Sequence, residues 1–406
     1  MADTGLEFHP LSFVTEGTDV VVGRADTGTY AVLPDDGAAL LRRLSAGVSR
    51  DEAAAWYEHC YGEPVDVDDF VATLHELGFL RAAGSTAAAP APLGPPRFQR
   101  LARALFSAPA WLLYAALVAA AAIALARHPD LRPASSHVYF TGSLTTVTLV
   151  LIFGQLPLAA LHESYHVLAG QRLGLHSSLG VSNRYNYVVF ETRTNGLYSV
   201  PRRRRYLPFL AGMVVDVVAF AALALLAAAL RTPGGTIPLA GRVCLALSFA
   251  VAARLGWQLL LHLRTDLYYV LSTALNCYDL HEASKAIFAN RIRRRTGRLR
   301  AGRPSPRLVD ETQWTDRDRR IGAWYGWLIA VGFTATIGLA VFVTGPVAVT
   351  FVARTVSGVA TGAGTWHFWD SLVSLVVFTV QIALPATLAL RKRRHRSGRK
   401  PKLVNA

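Results

Sequence analysis

The distribution of apolar residues constrains this chain most. Six stretches, 105–126, 143–170, 207–230, 243–263, 321–343 and 368–390, are dominated by Ala, Leu and Val. A helix needs about 20 apolar residues to cross the hydrocarbon core of a bilayer. One such run is compatible with a buried core helix, but six in one chain, with basic residues at their ends, read as spans. The expected fold class is therefore mainly α, a polytopic membrane bundle of about six spans within 99–390. Composition agrees: 52% of residues are hydrophobic and only 17% charged, against about 25% charged in ordinary soluble domains. High hydrophobicity also excludes a disordered chain. The stretch Pro346–Ala360 is apolar but short and carries Arg354, so it is expected as a surface or re-entrant segment. Residues 1–10 are mixed and polar, and no cleavable signal peptide is expected. Cys60, Cys244 and Cys277 are too few and too scattered for a disulfide framework.

Charge sets the expected orientation. Lys and Arg total 42 and Asp and Glu 27, so 42 − 27 gives a net +15. The basic residues concentrate in the loops 171–206 and 264–320 and in the tail 391–406, as Arg202-Arg203-Arg204-Arg205, the run from Arg291 to Arg300, and Arg391-Lys392-Arg393-Arg394. The loops 127–142, 231–242 and 344–367 hold only scattered arginines. The positive-inside rule puts the first set, and with it both termini, in the cytoplasm of a multi-pass cell-membrane protein. A basic chain also suggests nucleic acid, but these charges flank spans without interleaved aromatics, so the expected partner is the lipid bilayer and not nucleic acid. The basic segment 291–307 suits anionic headgroups, and Trp314, Trp324 and Trp327 suit the membrane interface.

Residues 1–83 read differently. Asp19–Gly23 and Thr29–Leu33 read as short strands separated by the turn Ala25-Asp26-Thr27-Gly28. Asp35 or Asp36 is expected to cap a helix carrying Leu40, Leu41 and Leu44. Ser49 with Glu52 forms a capping box for a second helix, and a third is expected from near Asp66 to Gly78. That order suits a small winged-helix α+β domain. Residues 84–98 are rich in Ala, Pro and Gly and read as a linker. The segments TGTYAVLPDDGAALLRRLSAG and SRDEAAAWYEHCYGEPVDVDDFVATLHELGFL resemble the PqqD-like domains, which bind leader peptides of ribosomally made, modified peptides. The resemblance implies a peptide-recognition domain in which a peptide adds a strand beside the sheet of Val20, Val22, Tyr30 and Val32, against the third helix.

The second span carries Leu161-His162-Glu163-Ser164-Tyr165-His166, an H-E-x-x-H motif. On a helix, positions i and i+4 share a face, so both imidazoles can meet one metal, with Glu163 beside them as general base. A chance match in a chain of this composition is on the order of one in a hundred. The apolar setting sharpens it, because a charge at mid-bilayer costs about 2.5–3.5 kcal/mol and is retained for a task. Catalytic zinc takes three protein ligands and keeps one open position. Depth and ligand type favour Asp266, at the cytoplasmic end of the fourth span, as the third. Asp216, inside the third span, and His262 are the alternatives, Asp216 also as a residue supporting a ligand. Iron or cobalt would suit the same donors. The loop 175–205 reads as a hairpin around Tyr185–Phe190.

These residues resemble the site-2 protease family of intramembrane zinc metalloproteases, in its bacterial peptide zinc metalloprotease branch. His162, Glu163 and His166 match its H-E-x-x-H, Leu210-Ala211-Gly212 its Ala-Gly-Pro region, and Arg264-Thr265-Asp266-Leu267-Tyr268-Tyr269 the segment whose Asp is the third ligand. Ser164-Tyr165, Met213 and Leu267 depart from its pattern. The resemblance implies a zinc endopeptidase with Glu163 as general base. Joined to a peptide-recognition domain, it implies cleavage of a ribosomally made precursor peptide during maturation or export. The other readings are regulated cleavage of a membrane-bound signalling protein and a non-proteolytic membrane receptor or export scaffold.

Overall fold

A computed structural model describes residues 6–81, 94–184, 187–194, 196–298 and 308–397. The chain divides into two compact units: 1–106 with 167–178 and 192–208, and 107–166 with 179–191 and 209–406.

The first unit begins with a three-stranded antiparallel sheet, β1 (Ser12–Glu16), β2 (Asp19–Arg24) and β3 (Thr29–Pro34), in the order β1-β2-β3. Strand β1 was not anticipated. Its sequence, Ser-Phe-Val-Thr-Glu, lacks an apolar–polar alternation and ends at Gly17, whose φ of 72° makes the tight turn into β2. Helices α1 (Asp35–Ser45), α2 (Arg50–Tyr61) and α3 (Val67–Glu76) follow. The expected caps hold for α2, where the Ser49 side chain accepts from Glu52 N, and for α3, where Asp66 accepts from Asp69 N. They fail for α1. Pro34 sits at its N-cap and Asp35 is already helical, where the carboxylates of the first turn still favour the helix dipole. Asp36 instead accepts from Gly37 N and from the Tyr57 hydroxyl at 2.5 Å, which pushes the Tyr57 phenol up to about 12. Val20, Val22, Ala38, Leu41, Leu74 and Phe79 form one core, and Leu40, Leu44, Ala53, Val67 and Val71 a second. The winged-helix expectation is met as far as a three-stranded antiparallel sheet with three helices. Of the expected linker 84–98, residues 84–93 lie outside the described residues, and α4 (Gln99–Leu105) begins directly after it.

Within this unit the turn Leu197–Ser199 packs against β1 and β2. Arg205 meets Glu16 at 2.5 Å, with both side chains almost fully buried. Its guanidinium also donates to the carbonyls of Val200 and Tyr198 and lies over the Tyr198 ring. The Tyr30 and Tyr198 rings are in contact at 5.6 Å.

The second unit is helical apart from its share of a two-stranded sheet. Its helix α5 (Ala108–Arg127) is capped by Ser107. Helix α6 (Leu144–Arg172) carries the H-E-x-x-H motif, and its N-terminus is held by Asp370, which accepts from Ser143 Oγ, Leu144 N and Thr145 N. Strands β4 (Ser177–Arg184) and β5 (Tyr187–Thr194) pair as expected for a hairpin, although Tyr185 and Asn186 lie outside the described residues. Then come α7 (Arg202–Leu230), α8 (Leu239–Trp257), α9 (Asp266–Ala274), α10 (Leu280–Arg298), α11 (Asp316–Leu339), α12 (Gly345–Ala360) and α13 (Trp366–Ser397).

Among the described residues, five helical runs are long and apolar enough to cross a membrane: α5, α6, α7, α8 and the continuous run Asp316–Ala360. The sixth expected span, 368–390, lies within α13. Two expectations change. Residues 346–360 are helical, continuing α11 through the π-helical segment Ala340–Thr344. The fourth span does not run to Leu263: α8 ends at Trp257, and 258–265 is irregular, with a 3-10 turn at Leu261–Leu263 and Arg264 in the left-handed region at φ 58°. Its freed backbone groups find partners. The Thr265 hydroxyl donates to Gln258 O and the Tyr325 hydroxyl to Leu261 O. Irregular backbone in an apolar bundle requires such satisfaction.

Candidate metal centre

Helix α6 presents His162 and His166 one turn apart, both buried. Their Nε2 atoms lie 3.2 Å from each other. The break after α8 delivers the third group. Because Arg264 turns the chain and α9 restarts at Asp266, this carboxylate stands in the first turn of a helix, where the dipole favours negative charge. Asp266 Oδ2 lies 3.2 Å from His162 Nε2 and 3.3 Å from His166 Nε2. Gln258 fixes it reciprocally, donating Nε2–H to Asp266 Oδ2 at 2.9 Å and accepting from Asp266 N at 3.0 Å.

The three donor atoms thus form a nearly equilateral triangle. Bonds of about 2.0–2.1 Å to a tetrahedral ion place neighbouring ligand atoms about 3.3–3.4 Å apart, so the observed edges match one face of such a tetrahedron. Among the described residues, His162, His166 and Asp266 are the cluster able to hold a metal ion. The donor set, two imidazoles and one carboxylate, is one that could hold a divalent metal ion.

Gly212 on α7 keeps side-chain atoms away from the two imidazole donors. A Cβ there would stand 2.3 Å from His166 Nε2 and 2.5 Å from His162 Nε2. No side chain fits without displacing the donor atoms.

A second layer holds the first. His162 Nδ1 donates to Asp216 Oδ2 at 2.9 Å, which leaves Nε2 as the atom turned to His166 and Asp266. Asp216, 1% exposed, is bound in turn by Arg254 on α8, through Nε to Oδ2 at 2.9 Å and through a terminal nitrogen to Oδ1 at 2.5 Å. Another Arg254 nitrogen donates to Gln155 Oε1 at 3.3 Å.

The sequence-expected residues therefore fall into five groups. His162, His166 and Asp266 meet at one point, and Asp216 holds the His162 ring from behind. Glu163 is half-buried on α6 beside His162. His262 lies elsewhere: its ring contacts Phe333, its Nε2 is 2.8 Å from Thr336 Oγ1, and it belongs to no metal cluster among the described residues. Val20 and Val22 are fully buried in the central strand with β1 and β3 on either side, whereas Tyr30 and Val32 lie on the outer strand β3. Tyr165, the bulky residue inside the motif, points its hydroxyl to that of Tyr114 on α5 at 3.0 Å. Arg254, Gln155 and Gln258 were missed. Arg254 had a signal, since an arginine inside an apolar span is a functional marker by default.

Comparison with protein families, with curated proteins and with solved structures finds no match to this chain.

Proposed function

We propose that this chain is a membrane-embedded zinc endopeptidase of the site-2 protease type, with His162, His166 and Asp266 as ligands. The observation that carries the reading is the triangle of donor atoms at 3.2–3.3 Å inside a set of membrane-length helices. A zinc ion held by these three residues would supply Lewis-acid chemistry, lowering the pKa of water and polarising a carbonyl. Glu163, next to His162, takes the proton of the attacking water and returns it to the leaving amine. Asp216 holds the His162 ring in the tautomer that offers Nε2. Gly212 keeps a Cβ out of the space beside the two imidazole donors.

The substrate is a ribosomally made precursor peptide captured by the N-terminal domain. The outer strand β3, with Tyr30 and Val32, is the edge on which such a peptide adds a strand. Val20 and Val22 serve as core beneath it, which amends the peptide-binding set expected from sequence. Both termini and the domain face the cytoplasm, in keeping with the arginine-rich loops. Tethering raises the local concentration of substrate at the protease.

The test is Glu163→Gln in membranes supplied with a precursor peptide. Loss of cleavage with the protein still present supports the protease. Undiminished processing refutes it and favours an export scaffold. Binding of a labelled leader peptide to the full chain separates precursor processing from cleavage of a signalling protein, which predicts no leader affinity.

A further inference from the structure

The contacts of Asp216 go beyond what a ligand-supporting carboxylate needs. Its Oδ2 is shared by His162 Nδ1 and Arg254 Nε, each at 2.9 Å, while its Oδ1 takes a second Arg254 nitrogen at 2.5 Å. A bidentate guanidinium fixes the plane of a carboxylate, which a single point charge does not. The guanidinium is itself held by Gln155, which stands on α6 seven residues, about two turns, before His162. Arg254 thereby connects α6, α7 and α8, and the chain of contacts ends on a ring whose other nitrogen is a donor of the metal face.

We propose that Arg254 is the positioning residue of this metal centre: acting through Asp216, it sets the rotation of the His162 ring and so the place of Nε2 in the donor triangle. It has a second effect on charge. Asp216 is 1% exposed, and its carboxylate would add an uncompensated negative charge behind the ligands. Paired with Arg254, it supports His162 without changing the net charge of the centre, so Asp266 remains the single anionic donor facing a divalent ion. The inference rests on the metal reading above and adds a residue that touches neither ligand nor substrate.

The experiment is cobalt(II) titration of the full-length, detergent-purified protein, followed by its visible ligand-field bands, with zinc(II) competition for affinity. Arg254→Gln is expected to weaken binding by about 10- to 100-fold, the usual effect of losing an outer-shell partner, and to change the band shape. Arg254→Lys restores charge but not the fork and is expected between the two. Asp216→Asn is expected to shift the bands in the same way, and the double variant to cost less than the sum of the singles, because both act on one ring. A role limited to helix packing lowers stability but leaves affinity and bands where they are, and that result overturns the proposal. Should Arg254→Gln not fold, wild-type affinity and bands in Arg254→Lys overturn it equally. Failure of the wild-type protein to bind cobalt takes down the metal reading and this inference together, whereas cobalt bound by wild type and Arg254 variants alike removes only this inference.

Discussion

Arg205 and Arg254 each close on a carboxylate away from solvent, Glu16 in one unit and Asp216 in the other, both at 2.5 Å. They differ in what the rest of each group touches. Arg205 spends further donors on the carbonyls of Val200 and Tyr198 and stacks on a ring, so its pair ties the sheet of the N-terminal domain to the turn that packs on it. Arg254 spends a further donor on a glutamine, and its carboxylate accepts from a histidine whose other nitrogen faces a second histidine and an aspartate. A buried ion pair is weak evidence for anything by itself, since desolvation offsets most of the attraction. The third partner turns one into a fastener and the other into part of a site.

The contrast breaks most visibly at Gly212. If the space beside the two imidazole donors matters as described, Gly212→Ala abolishes both metal retention and cleavage, because its Cβ would stand 2.3 Å from His166 Nε2. Metal analysis of the purified variant checks this, and a normal metal content contradicts it. Glu163→Gln comes next: cleavage falls by about 10²–10⁴-fold, the range for losing a general base, while the metal stays, read by peptide cleavage and metal content on one preparation.

The two arginines then separate. Arg205→Gln and Arg254→Gln each leave a buried carboxylate without its cation, at a cost of about 3–5 kcal/mol. Only the second alters metal affinity. Denaturation in detergent paired with metal titration measures both quantities, and equal effects of the two variants on metal would erase the distinction.

The smallest effect lies in the N-terminal domain, where a carboxylate is held by a neutral donor instead of a cation. The hydrogen bond to Asp36 raises the Tyr57 phenol from its ordinary 10 to about 12. A group raised on folding contributes stability that is complete below its unfolded pKa and is lost as pH rises through the folded one. The domain is therefore expected to lose this increment between pH 10 and about 12. Tyr57→Phe removes the dependence in that window, as pH-stability profiles followed by circular dichroism of the full chain would record.

Much of this was legible in the sequence. The membrane-length helices follow from apolar run length, and the His162–His166 pair from helical spacing, because both are local properties. Asp266 was reachable through ligand type and depth. What escaped were partners far apart in the chain: Arg254 lies 38 residues from Asp216 and 99 from Gln155, and no periodicity tells which cation meets which carboxylate. The end of α8 at Trp257 escaped for a similar reason. Leu259, Leu260, Leu261 and Leu263 prolong the apolar run, and only hydrogen bonds from Thr265 and Tyr325 reveal that the backbone has left the helix. Strand β1 escaped because Ser-Phe-Val-Thr-Glu places two apolar residues side by side and shows no period-two pattern.

The central claim is that two imidazoles and one carboxylate hold a single zinc ion. Zinc and protein quantified together, on the detergent-purified wild-type chain and on Asp266→Ala, test it most directly. About one zinc per chain in the wild type, as expected for a three-ligand catalytic site, and its loss in the variant is the predicted result. A wild-type chain without bound metal, or a variant that keeps its zinc, would contradict the account.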